Sequence, residues 1–206
     1  MSRRPGAAAR VAPLAVLAVA VLALAALTAC TGASGTTAAG RSPGGSTSAT
    51  STVLQPCPAP STQPAQGATT LPRLSLRCPG GGTLDLARAP GVPMVVNLWG
   101  SWCSPCRAEL PVVQQLADAV GDRVRVLGVI SKDGMPQAES FAEDAKVTFP
   151  SAFDGQGDLM AKEGLNYLPV TYFVDASGAV TYTQVGPVGS LDQFRRLVAD
   201  HLGVQL

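Results

Sequence analysis

Residues 93–106 read PMVVNLWGSWCSPC, and this stretch decides the fold. Its first seven residues are almost continuously apolar, which is typical of a central strand buried on both faces. The residues after the second cysteine, to about Val120, carry apolar side chains at helical spacing, which predicts a helix with one buried face. A Cys-x-x-Cys pair between such a strand and helix indicates a redox centre. The free N–H groups and the dipole of a helix N-terminus stabilise a thiolate at Cys103, and Cys106, one turn on, can attack a mixed disulfide.

A zinc site is the alternative interpretation of the same cysteine spacing. Zinc would need two further ligands nearby, and neither Cys57 nor Cys78 has a Cys-x-x-Cys partner of its own. Pro105 also pre-sets the first turn of a helix, which suits a helix N-terminus. We therefore interpret Cys103 and Cys106 as a redox pair, and we expect neither a metal nor a cofactor.

The rest of the pattern predicts an α/β domain. Strands are expected at 83–86, 123–130 and 149–153, and helices at 135–146 and 158–164. Two further strands, 170–174 and 180–185, flank the turn sequence DASG and form a hairpin, and a last helix ends before Gly203. The order of these elements implies a mixed central sheet flanked by helices.

Residues 96–111, VNLWGSWCSPCRAELP, closely resemble the active-site segment of the TlpA/ResA-like thioredoxins. Residues 167–171, YLPVT, resemble the cis-proline loop of that family, and residues 133–165 fit its insert of about a helix and a strand. The resemblance extends from about Thr83 to the C-terminus. It implies a thioredoxin-like fold and a membrane-attached, extracytoplasmic thiol-disulfide oxidoreductase.

The same resemblance implies roles for three residues of the redox centre. Cys103 would be the nucleophile and Cys106 the resolving thiol. Pro169 would be cis beside them, which would leave the backbone of Leu168 free to pair with a substrate strand. An ordinary proline at the start of a strand is the alternative for Pro169.

Glu109 matches a glutamate that is typical of the ResA-like branch. Asn97 stands where thioredoxin itself has a buried aspartate, and an amide cannot titrate. The resemblance therefore implies that Glu109 is a buried carboxyl with a raised pKa that moves protons. A solvated glutamate paired with a neighbouring arginine is the alternative.

The first 30 residues predict export. Three arginines, at positions 3, 4 and 10, precede the uncharged apolar run 11–27, and the sequence LTAC at 27–30 resembles the bacterial lipobox. We expect residues 1–29 to be a lipoprotein signal peptide and Cys30 to carry the lipid. An uncleaved signal anchor is the alternative, because a run of 17 residues is the lower limit for a membrane span. Both interpretations place the remainder at the extracytoplasmic face of the bacterial cytoplasmic membrane, with Sec and Tat export both open.

Three segments follow the lipidation site. Of the 22 residues at 31–52, 21 are Gly, Ala, Ser, Thr or Pro, so residues 30–56 are expected to form a flexible tether. Residues 57–82 are expected to be an N-terminal extension, pinned to the domain by a structural disulfide between Cys57 and Cys78. A second redox pair is the alternative, although neither cysteine precedes a helix. Residues 83–206 are expected to form the thioredoxin-like domain.

Charge and composition exclude several classes of function. The net charge is +1, and from Thr83 onward 9 basic residues face 14 acidic ones, so nucleic acid is not expected as a partner. His201 is the single histidine, which rules out His-rich metal sites. Near the end of the last helix, a solvated or C-capping histidine is expected.

The resemblance favours reduction of disulfides in exported proteins, for example apocytochrome c during cytochrome c maturation. The expected partners are such proteins, together with a membrane electron donor or acceptor for thiols. The dipeptide Ser104-Pro105 lacks the histidine that stabilises the thiolate of strongly oxidising relatives. Two alternatives remain open: a disulfide-forming oxidant in extracytoplasmic folding, and a non-enzymatic chaperone for copper or another metal. Copper-delivery relatives generally space their cysteines differently and add a histidine.

Overall fold

The computed structural model describes residues 52–206. Eleven helices and strands follow one another along the chain: β1 (Ser75–Arg77), β2 (Thr83–Asp85), β3 (Met94–Trp99), α1 (Ser104–Val120), β4 (Arg125–Ser131), α2 (Met135–Asp144), β5 (Ser151–Asp154), α3 (Asp158–Lys162), β6 (Val170–Val174), β7 (Val180–Val185) and α4 (Leu191–Leu202). A short 3₁₀ turn, Gly121–Arg123, joins α1 to β4.

The main sheet has five strands in the order β5-β4-β3-β6-β7. Strands β3, β4 and β5 are parallel, whereas β6 is antiparallel to both β3 and β7. The predicted mixed sheet with flanking helices is therefore confirmed. In the register Leu98 lies opposite Val170, so the end of β3 meets the start of β6. The turn that carries the cysteines thus lies beside the loop before β6.

The core lies between the sheet and the apolar faces of its helices. Every residue of β3 and β6 is buried, as expected for central strands. Helix α1 buries Leu110, Val113 and Leu116 completely, and α4 does the same with Phe194 and Val198. Each such side chain contributes roughly 1.5–3 kcal/mol relative to an exposed one. The start of α1 is therefore firmly placed against the sheet.

Residues ahead of the main sheet form a small two-stranded antiparallel sheet, β1 with β2. A disulfide joins Cys57 to Cys78, with a Cα–Cα distance of 6.0 Å. The start of this region differs from the sequence-based boundary. Leu54, assigned to the tether, is only 3% exposed, and the N–H of Gln55 donates to the carbonyl oxygen of Thr148 at 2.8 Å. The side chain of Leu54 and the backbone of Gln55 thus contact the domain, because Leu54 supplies a large apolar side chain that residues 31–52 lack.

The predicted signal peptide, the lipidation site Cys30 and the tether up to residue 51 lie outside the described residues. Within residues 52–206, no helix has the length and apolar character needed to cross a membrane.

Two local expectations are wrong. The helix predicted at 135–146 ends at Asp144, and Lys146 follows with a φ of 55°, a conformation that no helix continues. His201 is partly buried rather than fully solvated, and it is not the cap of the helix. Its ring stacks on that of Tyr182 with centroids 3.9 Å apart, because β7 faces the last turn of α4, and Gly203, with a φ of 69°, ends the helix instead.

Candidate active site

Cys103 and Cys106 form a disulfide at the start of α1, with their Cα atoms 5.3 Å apart. Cys103 is the N-cap residue of the helix, and its Sγ accepts a hydrogen bond from the N–H of Cys106 at 3.2 Å. This contact is the one that would stabilise a thiolate at Cys103 after reduction, together with the dipole of the 17-residue helix.

Both cysteines are buried in the oxidised pair. Cys103 is 4% exposed, and Cys106 is fully buried. The reason is that the Sγ of Cys103 folds back over the helix N-terminus toward the N–H of Cys106. Cys103 is still the only one of the pair with exposed surface, which agrees with its assignment as the attacking thiol.

The loop before β6 approaches this helix start. The peptide bond between Leu168 and Pro169 is cis. The carbonyl oxygen of Pro169 accepts from the N–H of Gly186 at 3.0 Å, which ties the loop to the end of β7. Among residues 52–206, the backbone hydrogen bonds of this loop run through Pro169 and not through Leu168. The N–H and the carbonyl oxygen of Leu168 thus have no backbone partner among these residues.

Three large apolar side chains are exposed around this end of the sheet. Trp102, directly before Cys103, is 55% exposed, and Tyr167, two residues before the cis proline, is 44% exposed. Val185, at the end of β7 and opposite Val170, is 53% exposed. These side chains give the surface beside the Cys103–Cys106 disulfide an exposed aromatic and apolar character.

Glu109 lies in α1 one turn after Cys106 and is 1% exposed. Its Oε2 accepts from Asn97 Nδ2 at 3.0 Å, and its Oε1 accepts from the N–H of Val188 at 2.8 Å. Burial raises the pKa of Glu109 above its ordinary value, while these two hydrogen bonds partly oppose the rise. The carboxyl thus bonds to an amide and a backbone group, not to an arginine.

Asn97 joins this carboxyl to the sheet. Its Nδ2 donates a second hydrogen bond, to Thr171 Oγ1 at 2.8 Å, while its Oδ1 is buried without a partner. Sequence reasoning gave Thr171 no role. The contact depends on the β3–β6 register, which sets Thr171 opposite Asn97. That register cannot be predicted from the sequence of either strand alone.

Asp133 is a second residue that sequence reasoning missed. Its carboxylate oxygens accept from the N–H and the hydroxyl of Ser101, in the turn before Cys103. An acidic residue two positions after a buried parallel strand was the available signal, because that end of the sheet carries the cysteines.

One cavity lies next to the redox pair. A cavity of about 400 Å³ lies beside the turn before Cys103, between Ser101, Arg107 and Phe141. A larger one, about 460 Å³, lies at the opposite end of α1, near Gly121 and Arg125, and is not part of the site. Within residues 52–206, no group of three or more His, Cys, Asp or Glu side chains is placed to hold a metal ion.

This fold and this helix-capping disulfide define a thiol-disulfide oxidoreductase of the thioredoxin-like class, and comparison with known proteins agrees. The Redoxin family model matches residues 60–198, more than half of the chain, and the protein belongs to that family. The resemblance to the TlpA/ResA-like thioredoxins is thereby confirmed.

Individual relatives support the same class. The thioredoxin-like protein YneN of Bacillus subtilis is 29% identical over 132 residues, which are 63% of this chain and 77% of the relative. A thiol:disulfide interchange protein DsbE homolog of Paracoccus denitrificans is 34% identical over 57% of this chain and 64% of its own length. Among solved structures, MTB dsbF matches with a TM-score of 0.57 and 30% identity, over 64% of this chain and 98% of that one.

Proposed function

We propose that the protein is a lipid-anchored reductant of disulfides in exported proteins, at the extracytoplasmic face of the bacterial cytoplasmic membrane. One observation carries the proposal: a Cys-x-x-Cys disulfide caps α1 beside a cis-proline loop, with the buried carboxyl of Glu109 one turn behind it. The Cys-Ser-Pro-Cys sequence also lacks a histidine between the cysteines, which supports a reducing pair rather than a strongly oxidising one.

The reaction transfers two electrons from the dithiol to the partner. The Cys103 thiolate attacks one sulfur of the partner disulfide, forms a mixed disulfide and expels the other partner sulfur as a thiolate, which takes up a proton. Cys106 then loses its proton, attacks the Cys103 sulfur and expels the second partner sulfur as a thiolate, which also takes up a proton. Cys103 and Cys106 end as a disulfide, and the partner ends as two thiols.

Glu109 supplies the proton chemistry of the second step. Cys106 is fully buried, so its proton needs an internal acceptor, and Glu109 lies one turn further along the same helix. A carboxyl whose pKa is raised by burial can take up a proton from a thiol more readily than an ordinary glutamate. Asn97 holds this carboxyl by a hydrogen bond and has no proton to exchange.

The partner binds across the exposed end of the sheet. An extended segment pairs with the free backbone of Leu168, and its apolar residues contact Trp102 and Tyr167. The partner class is exported proteins with accessible disulfides, with apocytochrome c as the specific candidate. A membrane thiol carrier returns the Cys103–Cys106 disulfide to the dithiol after each cycle.

Attachment rests on the sequence of the first 30 residues. Lipid on Cys30 and the Gly/Ala/Ser/Thr-rich residues that follow would let the domain reach partners near the membrane surface.

The proposal is tested with the reduced protein and a peptide that carries an oxidised Cys-x-x-Cys-His sequence of apocytochrome c. We expect wild-type protein to reduce the peptide, Cys106→Ser to accumulate a mixed disulfide with it, and Cys103→Ser to do neither. A Cys57→Ala/Cys78→Ala variant is the matched control, because it removes the other disulfide and should reduce the peptide at the wild-type rate.

The opposite direction of transfer would contradict the proposal. If oxidised protein rapidly introduced a disulfide into the reduced peptide while the dithiol left the oxidised peptide unchanged, the protein would act as an oxidant.

A further inference from the structure

The turn before the redox pair, residues 100–102, is fastened to the end of β4; we name it the redox turn. The N–H of Ser101 donates to Asp133 Oδ2 at 2.5 Å, and its hydroxyl donates to Asp133 Oδ1 at 3.0 Å. Trp102 Nε1 donates to the carbonyl oxygen of Ser131 at 3.3 Å. Two of these three hydrogen bonds therefore end on one carboxylate.

That carboxylate also fixes the start of α2. Asp133 Oδ1 accepts from the N–H of Gly134 at 2.9 Å, and Gly134 is the residue that precedes the first turn of α2. Within the redox turn itself, the carbonyl oxygen of its first residue, Gly100, accepts from the N–H of Cys103 at 3.1 Å. The negative charge of Asp133 thus lies between the end of β4, the start of α2 and the redox turn that precedes Cys103.

We propose that Asp133 is a positioning residue for the redox reaction, and that its charge makes the Cys103–Cys106 dithiol a stronger electron donor. Asp133 acts through Ser101, two residues before the nucleophile. The inference rests on the proposed function, because it concerns the energy of the same redox pair.

The effect follows from where negative charge develops. Reduction of the disulfide takes up two electrons and one proton, and it leaves a thiolate on Cys103 and a thiol on Cys106. A nearby carboxylate disfavours that thiolate by repulsion, which shifts the equilibrium toward the disulfide and so toward reduction of the partner. Asp133 also occupies the N–H of Ser101, which removes one donor that could otherwise face an anion near the start of α1.

Other charged residues lie near the redox turn. None of those that the structure describes hydrogen-bonds to both the N–H and the hydroxyl of Ser101, as Asp133 does. Arg107, in α1, donates to the carbonyl oxygen of Ser101 at 3.3 Å and acts in the opposite sense. Lys132 precedes Asp133, and its N–H bonds to the backbone of Asp154, whose own carboxylate accepts from the start of α3. Asp133 is therefore the charge to remove.

The test compares two variants that remove this charge with a matched control. Asp133→Asn keeps an acceptor for the turn, whereas Asp133→Ala removes all three hydrogen bonds to the carboxylate. The control is Asp175→Asn, because Asp175 caps the β6–β7 turn in the same way, accepting from the N–H groups of Ser177 and Ala179, at the other end of the sheet.

Each protein is equilibrated with reduced and oxidised glutathione, and the fraction of dithiol is read from tryptophan fluorescence and thiol labelling. We expect both Asp133 variants to shift the equilibrium toward the dithiol by about tenfold, equivalent to about 30 mV. Labelling of Cys103 by iodoacetamide should extend to lower pH in these variants. The Asp175 variant should stay within about twofold of wild type.

Two results would overturn the inference. The first is a folded Asp133 variant whose equilibrium constant with glutathione stays within about twofold of wild type. Asp133 would then have only a structural role, even if the melting temperature of the variant fell. A shift toward the disulfide would reverse the sign of the charge effect. A wild-type pair that does not exchange with glutathione at all would instead overturn the proposed function, and this inference with it.

Discussion

The disulfide between Cys57 and Cys78 should be a structural clamp with a measurable contribution to stability. The two cysteines are separated by 21 residues in sequence, and the chain-entropy model assigns a loop of that size about 3 kcal/mol of stabilisation at 25 °C. For a domain of this size, 3 kcal/mol corresponds to a fall in melting temperature of about 6–12 °C when the link is removed.

The variant that tests this value is Cys57→Ala/Cys78→Ala. Both side chains are buried, at 7% and 5% exposure, so the double alanine leaves no reactive thiol and only small cavities. Thermal unfolding is followed by circular dichroism on the wild type and the variant, both with an oxidised Cys103–Cys106 pair. Peptide reduction is measured in parallel.

We expect the melting temperature to fall by the stated amount and the rate of peptide reduction to stay at the wild-type value. The extension should remain partly attached, because Leu71 and Leu76 pack against the domain independently of the link. A fall of less than about 2 °C would refute the loop-closure argument. A loss of turnover equal to that of Cys103→Ser would show instead that Cys57 and Cys78 are a second redox pair.

Three further predictions address the redox pair, the buried carboxyl and the anchor. In the reduced protein, iodoacetamide should label Cys103 before Cys106 at mildly acidic pH, because Cys103 caps α1 and Cys106 is fully buried; mass spectrometry of the labelled peptides gives the order, and the reverse order would exchange the two roles. Burial raises the pKa of Glu109 above its ordinary value of 4.5. The protonated carboxyl should therefore contribute fully to the free energy of unfolding below pH 4.5, and this contribution should be lost as the pH rises through the pKa of Glu109 in the folded protein. Denaturant titrations from pH 4 to 9 should show this decline in wild type and a smaller one in Glu109→Gln; parallel curves for the two proteins would refute it. Cys30→Ser should release the protein from the membrane or block signal cleavage, and a membrane fraction with normal cleavage in the variant would contradict lipidation.

Much of the fold follows from the sequence alone. The apolar run that became β3 and the helical spacing after Cys106 are local signals, and the DASG turn fixes the β6–β7 hairpin. Element boundaries moved by one or two residues, as with α2, where the backbone of Lys146 ends the helix. Strand β1 was missed because three residues with one buried side chain carry too little periodicity.

The site was only partly predictable. Glu109 was singled out by family resemblance, but the atoms that bind it, Asn97 Nδ2 and the N–H of Val188, come from positions 12 residues before and 79 residues after it. The link between Ser101 and Asp133 spans 32 residues. Such contacts depend on strand order and register, which a single sequence does not specify.

The reduction potential of the Cys103–Cys106 couple tests the central claim most directly. It is measured on the full chain by equilibration with glutathione and dithiothreitol buffers, with acid quenching and thiol labelling as the readout. A reductant of partner disulfides should have a potential near that of thioredoxin, about −270 mV. A potential near that of a strong oxidant, about −120 mV, would contradict the account, because a dithiol so stable would not pass its electrons to a partner disulfide.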